Sequence, residues 1–115
     1  MEAMKWYDMP KLNTSCGIDG RRMYDKQHAQ IVHLMLDPLA VVEPHSTPVD
    51  VVFYVLEGEG TIEVGDEKIR VERDAMVESP ANIPHALYNE SKDKVFRVLV
   101  IKLPNPKSIK DKDVK

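Results

Sequence analysis

Residues 44–60 read Pro-His-Ser-Thr-Pro-Val-Asp-Val-Val-Phe-Tyr-Val-Leu-Glu-Gly-Glu-Gly. Within this stretch, residues 51–57 are dense in β-branched and aromatic side chains, a composition typical of β-strands. On both sides of this segment, residues 29–103 form a series of short strand signals separated by proline, glycine and aspartate. This rhythm, without the periodic pattern of a long helix, predicts an all-β sandwich or barrel.

A second informative stretch, at residues 80–89, reads Pro-Ala-Asn-Ile-Pro-His-Ala-Leu-Tyr-Asn. Together with residues 44–60 it resembles the pair of signature motifs of the cupin superfamily. The first motif is His-x-His, three or four residues, Glu, six residues, Gly. The second is Pro-x-Gly, two residues, His, three residues, Asn. The resemblance extends over roughly residues 29–103. It implies the cupin fold, a double-stranded β-helix or jelly-roll barrel.

The first motif keeps only part of its metal-binding pattern. When Gly58 is aligned with the glycine of the motif, Val51 occupies the glutamate position. His45 and Thr47 occupy the two histidine positions, and the second motif supplies His85. The resemblance therefore implies a site for a divalent transition metal (Fe, Mn, Ni, Zn or Cu) in which His45 and His85 remain as ligands. Because Thr47 offers only a neutral hydroxyl, such a metal is expected to be weakly held or absent.

Asp50 is one candidate for a replacement ligand, since it is next to Val51. A regular strand turns neighbouring side chains to opposite faces, so Asp50 is expected to point away from the side that Val51 faces. Only a β-bulge would bring its carboxylate into the barrel. Otherwise Asp50 is expected to be a hydrogen-bonded turn residue after Pro48.

His33 is the other candidate, and its orientation depends on a strand register. The strands predicted over residues 29–36 and 41–45 could form a hairpin. A loop of residues 38–40 would place His33 opposite His45, whereas a two-residue loop would turn it to the other face. The sequence leaves both registers open.

The hairpin predicted over residues 61–72 has the most regular pattern. Four apolar side chains share one face if they pair across the strands, Val64 with Ile69 and Ile62 with Val71. This register leaves residues 66–67 as the loop and sets Glu63 opposite Arg70. In the second motif, Asn82 replaces glycine and is expected to keep the turn, because asparagine tolerates a left-handed backbone. Asn89 is expected to be structural.

The length of 115 residues predicts one domain. We divide it into an N-terminal extension at residues 1–27, a barrel at residues 28–104 and a charged tail at residues 105–115. The extension could supply an edge strand or a strand to a partner subunit. The resemblance implies a homodimer, and Trp6 and Tyr7 in the extension are aromatic residues of the kind enriched in interface cores.

The composition argues against several classes of protein. The net charge of −3 does not favour binding to nucleic acid. Cys16 is the single cysteine, so no internal disulfide can form, which fits a reducing compartment. The sequence shows neither an apolar run of the ~20 residues that span a membrane nor a signal peptide. We therefore expect no membrane partner and a cytoplasmic location.

Three functions are compatible with these residues. The first is a stand-alone cupin that binds a small molecule in its barrel, with a divalent metal weakly held or absent. The second is a metal-dependent enzyme of the oxygenase or isomerase type. The third is a ligand-sensing module that acts through a partner. The residues leave open whether the chain is catalytic, and no catalytic residue can be assigned from them.

Overall fold

The computed structural model describes residues 1–109, and the regular secondary structure of these residues is almost entirely β-strand. The strands are β1 (Ile18–Lys26), β2 (Ala29–Leu36), β3 (Val41–His45), β4 (Asp50–Glu57), β5 (Glu59–Val64), β6 (Glu67–Glu72), β7 (Met76–Ser79), β8 (His85–Tyr88) and β9 (Phe96–Leu103). Two single-turn 3-10 helices, Trp6–Asp8 and Pro106–Ser108, flank them.

The strands form two antiparallel sheets. One has five strands in the order β1-β2-β9-β4-β7, and the other has four in the order β3-β8-β5-β6. Non-consecutive neighbours such as β2 and β9 show that the chain passes repeatedly from one sheet to the other. This arrangement confirms the predicted jelly-roll barrel.

The core lies between the two sheets and follows the alternation of side chains along each strand. In β4 the odd-numbered residues Val51, Phe53 and Val55 are buried, and in β9 the even-numbered residues Phe96, Val98 and Val100 are buried. The even-numbered residues of β4 and the odd-numbered residues of β9 therefore face the outside of the five-stranded sheet.

The predicted hairpin between the second and third strands is wrong. β2 pairs with β1 and β9, whereas β3 pairs with β8 in the opposite sheet. The connection between β2 and β3 is a passage between sheets, and Leu39 within it has a positive φ of 67°. Because β2 and β3 do not pair, the length of the loop between them does not determine the orientation of His33.

The hairpin of β5 and β6 forms, but its predicted register is wrong by two residues. Ile62 pairs with Ile69 and Gly60 with Val71, and Glu63 lies opposite Lys68. The loop consists of residues 65–66, because Gly65 has the positive φ of 61° that suits the first position of a tight hairpin turn. A shift of two residues preserves side-chain alternation, so Ile62 and Val71 are still buried on the inner face.

Three residues of the two motifs have structural roles. Gly58 has a φ of 82°, and a Cβ atom there would lie 2.2 Å from the carbonyl oxygen of Val95, so glycine is required. Asn82 has a φ of 67°, which confirms its predicted left-handed backbone. Asn89 is buried, and its Nδ2 lies within 3.0 Å of the carbonyl oxygens of Leu36, Asp37 and Lys94.

The segment before β1 packs on the outer face of the five-stranded sheet of its own chain. The Trp6 ring stacks on His33 of β2, with a centroid distance of 4.3 Å and an interplanar angle of 13°. Arg21 and Arg97 both lie 5.9 Å from the centre of the Trp6 ring. Residues 18–26 of the predicted extension form β1, the edge strand of this sheet.

The chain after β9 continues into the short helix Pro106–Ser108, where Asn105 accepts a hydrogen bond from the backbone of Lys107. Residues 110–115 of the predicted charged tail lie outside the described residues. None of the helices within residues 1–109 has the length and apolar character needed to cross a membrane.

Candidate functional site

A cavity of about 700 Å³ opens between the two sheets. Its walls are apolar side chains of both sheets, namely Val32, Leu34, Val42, Phe53, Leu87 and Val100. Residues 12–15 and Ile18 complete one side. Its polar side chains include His45, His85 and Lys102. An apolar cavity of this size with a few convergent polar groups is typical of a small-molecule site.

His45 and His85 are brought together by the pairing of β3 with β8, although 40 residues separate them in the sequence. They are cross-strand partners, and their ring centroids lie 4.6 Å apart at an interplanar angle of 84°. The Nδ1 of His45 is 3.1 Å from the carbonyl oxygen of Glu43, and the Nδ1 of His85 is 3.0 Å from the hydroxyl of Ser79. Each contact fixes a ring through Nδ1, and neither uses Nε2.

His85 is the buried member of the pair, and its ring also lies against Phe53 at a centroid distance of 5.1 Å. Burial lowers the pKa of His85 to about 4, with smaller contributions from His45 and from the positive charge of Lys102. The imidazole of His85 is therefore neutral at neutral pH, and a neutral ring can accept or donate one hydrogen bond.

The other predicted ligands lie outside this cavity. His33 faces the opposite side of β2 from Val32 and Leu34, because it stands between them in a regular strand. Asp50 is exposed, and its carboxylate accepts a hydrogen bond of 2.9 Å from the backbone N–H of Ala81. The expectation that Asp50 points away from the barrel is therefore confirmed.

Thr47 also lies outside the cavity lining, and its hydroxyl donates a hydrogen bond to the carbonyl oxygen of Val49. Within residues 1–109, no group of three or more His, Cys, Asp or Glu side chains is placed to hold a metal. The lining offers two imidazoles and the exposed carboxylate of Glu43, which is not grouped with them as a metal ligand. This set does not fit a metal site built from three histidines and a carboxylate.

Lys102 belongs to neither motif and was not predicted to be a site residue. The signal that could have found it is the alternation along β9, in which Val98 and Val100 face inward and Lys102 is the next residue on the same face. Burial is the main cause that lowers the pKa of Lys102, and Arg22 nearby lowers it further. The contribution of residues 12–15 was also missed, because it depends on how the segment before β1 folds over the cavity.

A larger depression of about 1010 Å³ lies elsewhere, lined mainly by charged side chains such as Glu57, Arg70 and Arg97. Several of these charges are already paired, since Arg97 contacts Glu57 at 2.7 Å and Arg70 contacts Glu59 at 3.3 Å. Its described lining contains no histidine and few apolar groups. We therefore place the functional site at the smaller cavity.

Known structures share this architecture. A conserved protein of unknown function from Streptococcus pyogenes is 29% identical, with 76% of this chain and 74% of that chain covered and a TM-score of 0.68. KdgF from Halomonas sp. is 21% identical, covers 85% and 90% of the two chains, and has a TM-score of 0.76. The polyketide cyclase RemF from Streptomyces resistomycificus is 18% identical, covers 90% and 79%, and has a TM-score of 0.77.

At the sequence identities of the two named neighbours, the likeness shows the fold alone. No curated protein matches the sequence. The family described as Cupin domain matches residues 32–102, which is more than half of the chain and includes both motifs. The chain is therefore a member of the cupin domain family.

Proposed function

We propose that this cupin binds a small organic molecule in the cavity between its sheets, with His45 and His85 as polar contacts. The observation that carries the proposal is the composition of the cavity. Apolar walls from both sheets surround a histidine pair whose Nε2 atoms are not used in the hydrogen bonds that fix the rings. Such a site can bury the apolar part of a ligand and orient its polar part.

The neighbouring residues support binding rather than tight metal coordination. Ser79 is fully buried and holds the ring of His85, which keeps Nε2 at a defined position. Phe53 packs against the same ring and restricts its rotation. His85 would hydrogen-bond the ligand in the interior, and the exposed His45 would do so near the entrance. Binding by this route requires no metal ion, because both imidazoles can act directly on the ligand.

We also propose that the protein forms a homodimer through the outer face of the five-stranded sheet. Tyr54 of β4 lies between its cross-strand partners Met76 and Leu99, and Met76 is 62% exposed. This row continues the surface on which Trp6 packs, and Tyr7 next to it is 51% exposed. Light scattering at tens of micromolar, well above a dissociation constant of ~1 μM, should give the mass of a dimer. A monomer would contradict the proposal.

The binding function can be tested by filling the cavity. Leu34→Trp places a large ring in the cavity, whereas Lys92→Trp places it on an exposed loop outside the cavity lining. A fragment library would be screened by NMR against protein with assigned amides. We expect hits to shift the amides of His85 and Leu87 in the parent and in Lys92→Trp, but not in Leu34→Trp. Hits confined to other surfaces would refute the proposed site.

A further inference from the structure

Lys102 places a positive charge inside the candidate site. It belongs to β9, lines the cavity, and follows the buried Val98 and Val100 on the inner face of that strand. It lies near enough to His85 for its charge to lower the pKa of that histidine. Lys102 is half-buried, so its ammonium loses part of its hydration without the ion-pair partner that normally compensates for such a loss.

The ammonium of Lys102 has no ion-pair partner within residues 1–109. None of the ion pairs in this part of the chain includes it, and none of the side-chain hydrogen bonds does. Glu43 also lines the cavity, but its side chain is exposed and does not pair with Lys102. Arg22, the other cation close enough to lower the pKa of Lys102, lies 3.7 Å from Asp25. Lys102 is thus the one Lys or Arg side chain in the described lining of the cavity, and it has no ion-pair partner there, while the exposed Glu43 is the one acidic side chain of that lining.

The position of Lys102 also bears on the altered metal motif. Val51 occupies the motif's glutamate position, and it lies between two cross-strand partners, Ser79 on β7 and Lys102 on β9. Ser79 is in turn hydrogen-bonded to His85. The place where the motif would put a negatively charged ligand for a metal is therefore apolar, and the residue directly beside it carries a positive charge.

From this arrangement we propose that Lys102 binds a carboxylate group of the ligand, and that its ammonium supplies the positive charge that a metal ion would otherwise supply. This inference rests on the proposed binding function and names the ligand class, a small organic acid with an apolar body. A single carboxylate matches the one positive charge that the described cavity lining offers, at Lys102, whereas a phosphate dianion would require a second positive charge. The neutral His85 can add a hydrogen bond to the same group.

The test compares two probes of similar size, benzoate and benzyl alcohol, which differ in charge. Each is titrated into the 15N-labelled protein, and the amides of His85, Leu87 and Val100 are followed by NMR. We expect benzoate to bind about tenfold more tightly than benzyl alcohol, because a hydrogen bond to a charged group is stronger than one between neutral groups. The preference should persist in 5 mM EDTA.

Three variants connect the preference to Lys102. Lys102→Met keeps the length of the side chain and should make the two probes bind equally. Lys102→Arg keeps the charge and should retain most of the preference for benzoate. This result would show that the loss in Lys102→Met comes from the missing charge and not from misfolding. Lys92→Met removes the same charge from an exposed loop residue and should change nothing. Their amide spectra show whether each variant is folded.

The remaining outcomes separate this inference from the function on which it rests. If both probes bind the cavity equally in the parent, or if EDTA abolishes benzoate binding, the inference is overturned while the binding function stands. If neither probe shifts the cavity amides at millimolar concentration, the proposed function fails and the inference fails with it.

Discussion

Val51 and Lys102 are cross-strand partners in the five-stranded sheet, and both lie on its inner face. Val51 is fully buried, whereas Lys102 reaches the cavity. Paired residues in a sheet are close enough for their side chains to interact directly. A substitution at either position should therefore change the properties of the other, and this coupling leads to the first prediction.

Restoring the motif's glutamate alone should not create a metal site. In Val51→Glu the new carboxylate would pair with Lys102, because the two side chains face each other across neighbouring strands. In the double variant Val51→Glu with Lys102→Met, the carboxylate is released and joins His45 and His85. We expect the double variant to bind Zn²⁺ at least about tenfold more tightly than Val51→Glu, as measured by calorimetry.

Lys102→Met alone is the control for this experiment, and its zinc affinity should stay within a few-fold of the parent. Equal zinc affinities in Val51→Glu and the double variant would show that Lys102 does not compete for the carboxylate.

Stability should fall as the pH falls from about 6.5 to about 4. Burial is the main cause that lowers the pKa of His33 and of His85 from 6.5 to about 4. In this window the unfolded chain takes up protons that the folded chain does not, so the stabilisation is complete above pH 6.5 and decreases below it. The free energy of unfolding in urea should drop by up to ~1.4 kcal/mol per pH unit for each histidine.

The matched variant for the pH experiment is His33→Gln. Arg97 lies 3.0 Å from Nε2 of His33, and the amide oxygen of glutamine can accept that hydrogen bond in its place. The variant should lose about half of the pH dependence. An unchanged slope would mean that His33 does not remain neutral in the folded protein.

Asn89→Ala should be strongly destabilising. The side chain is 2% exposed, its Nδ2 faces three carbonyl oxygens, and its Oδ1 accepts a hydrogen bond from the backbone of Ser91. Leaving several buried polar groups without partners should cost about 3 kcal/mol or more in urea unfolding. Asn13→Ala, at an exposed position, should cost less than about 0.5 kcal/mol. Similar costs for the two variants would argue against a structural role for Asn89.

Two glycines with positive φ should respond differently to alanine. Gly58→Ala combines an unfavourable backbone with a contact of 2.2 Å between Cβ and the carbonyl oxygen of Val95. Gly65→Ala meets only ordinary contacts, the nearest at 3.5 Å, so it should cost only the ~1–2 kcal/mol of a left-handed residue. Thermal unfolding should therefore show a clearly larger loss for Gly58→Ala, and equal losses would contradict this account.

The sequence was sufficient for the fold because its two motifs place Gly58 and Asn82, residues that tolerate a positive φ, at the turns where the barrel requires one. It also predicted the side of β4 on which Asp50 lies, since alternation along a strand is a local property. Local patterns could not decide which strands pair. The turn at Gly65 overrode the apolar pairing expected for Ile69, which is 55% exposed. The orientation of His33 depended on the distant partner β9.

The site also contains residues that local motifs predict and one that only the pairing of distant strands reveals. His45 and His85 could be identified because both match motif positions. Lys102 belongs to neither motif, and its importance appears only when β9 is placed beside β4. The position of Lys102 in the cavity therefore depends on how the strands assemble, which the local sequence around it does not show.

The packing of Trp6 on His33 gives this protein a built-in optical probe. Trp6 is the only tryptophan of the chain, and it lies on the face of the sheet that is turned away from the cavity. Its fluorescence should therefore respond when the segment before β1 detaches or when a second subunit covers that face. Filling the cavity should leave the emission nearly unchanged, so one spectrum can separate events on the two sides of a single sheet.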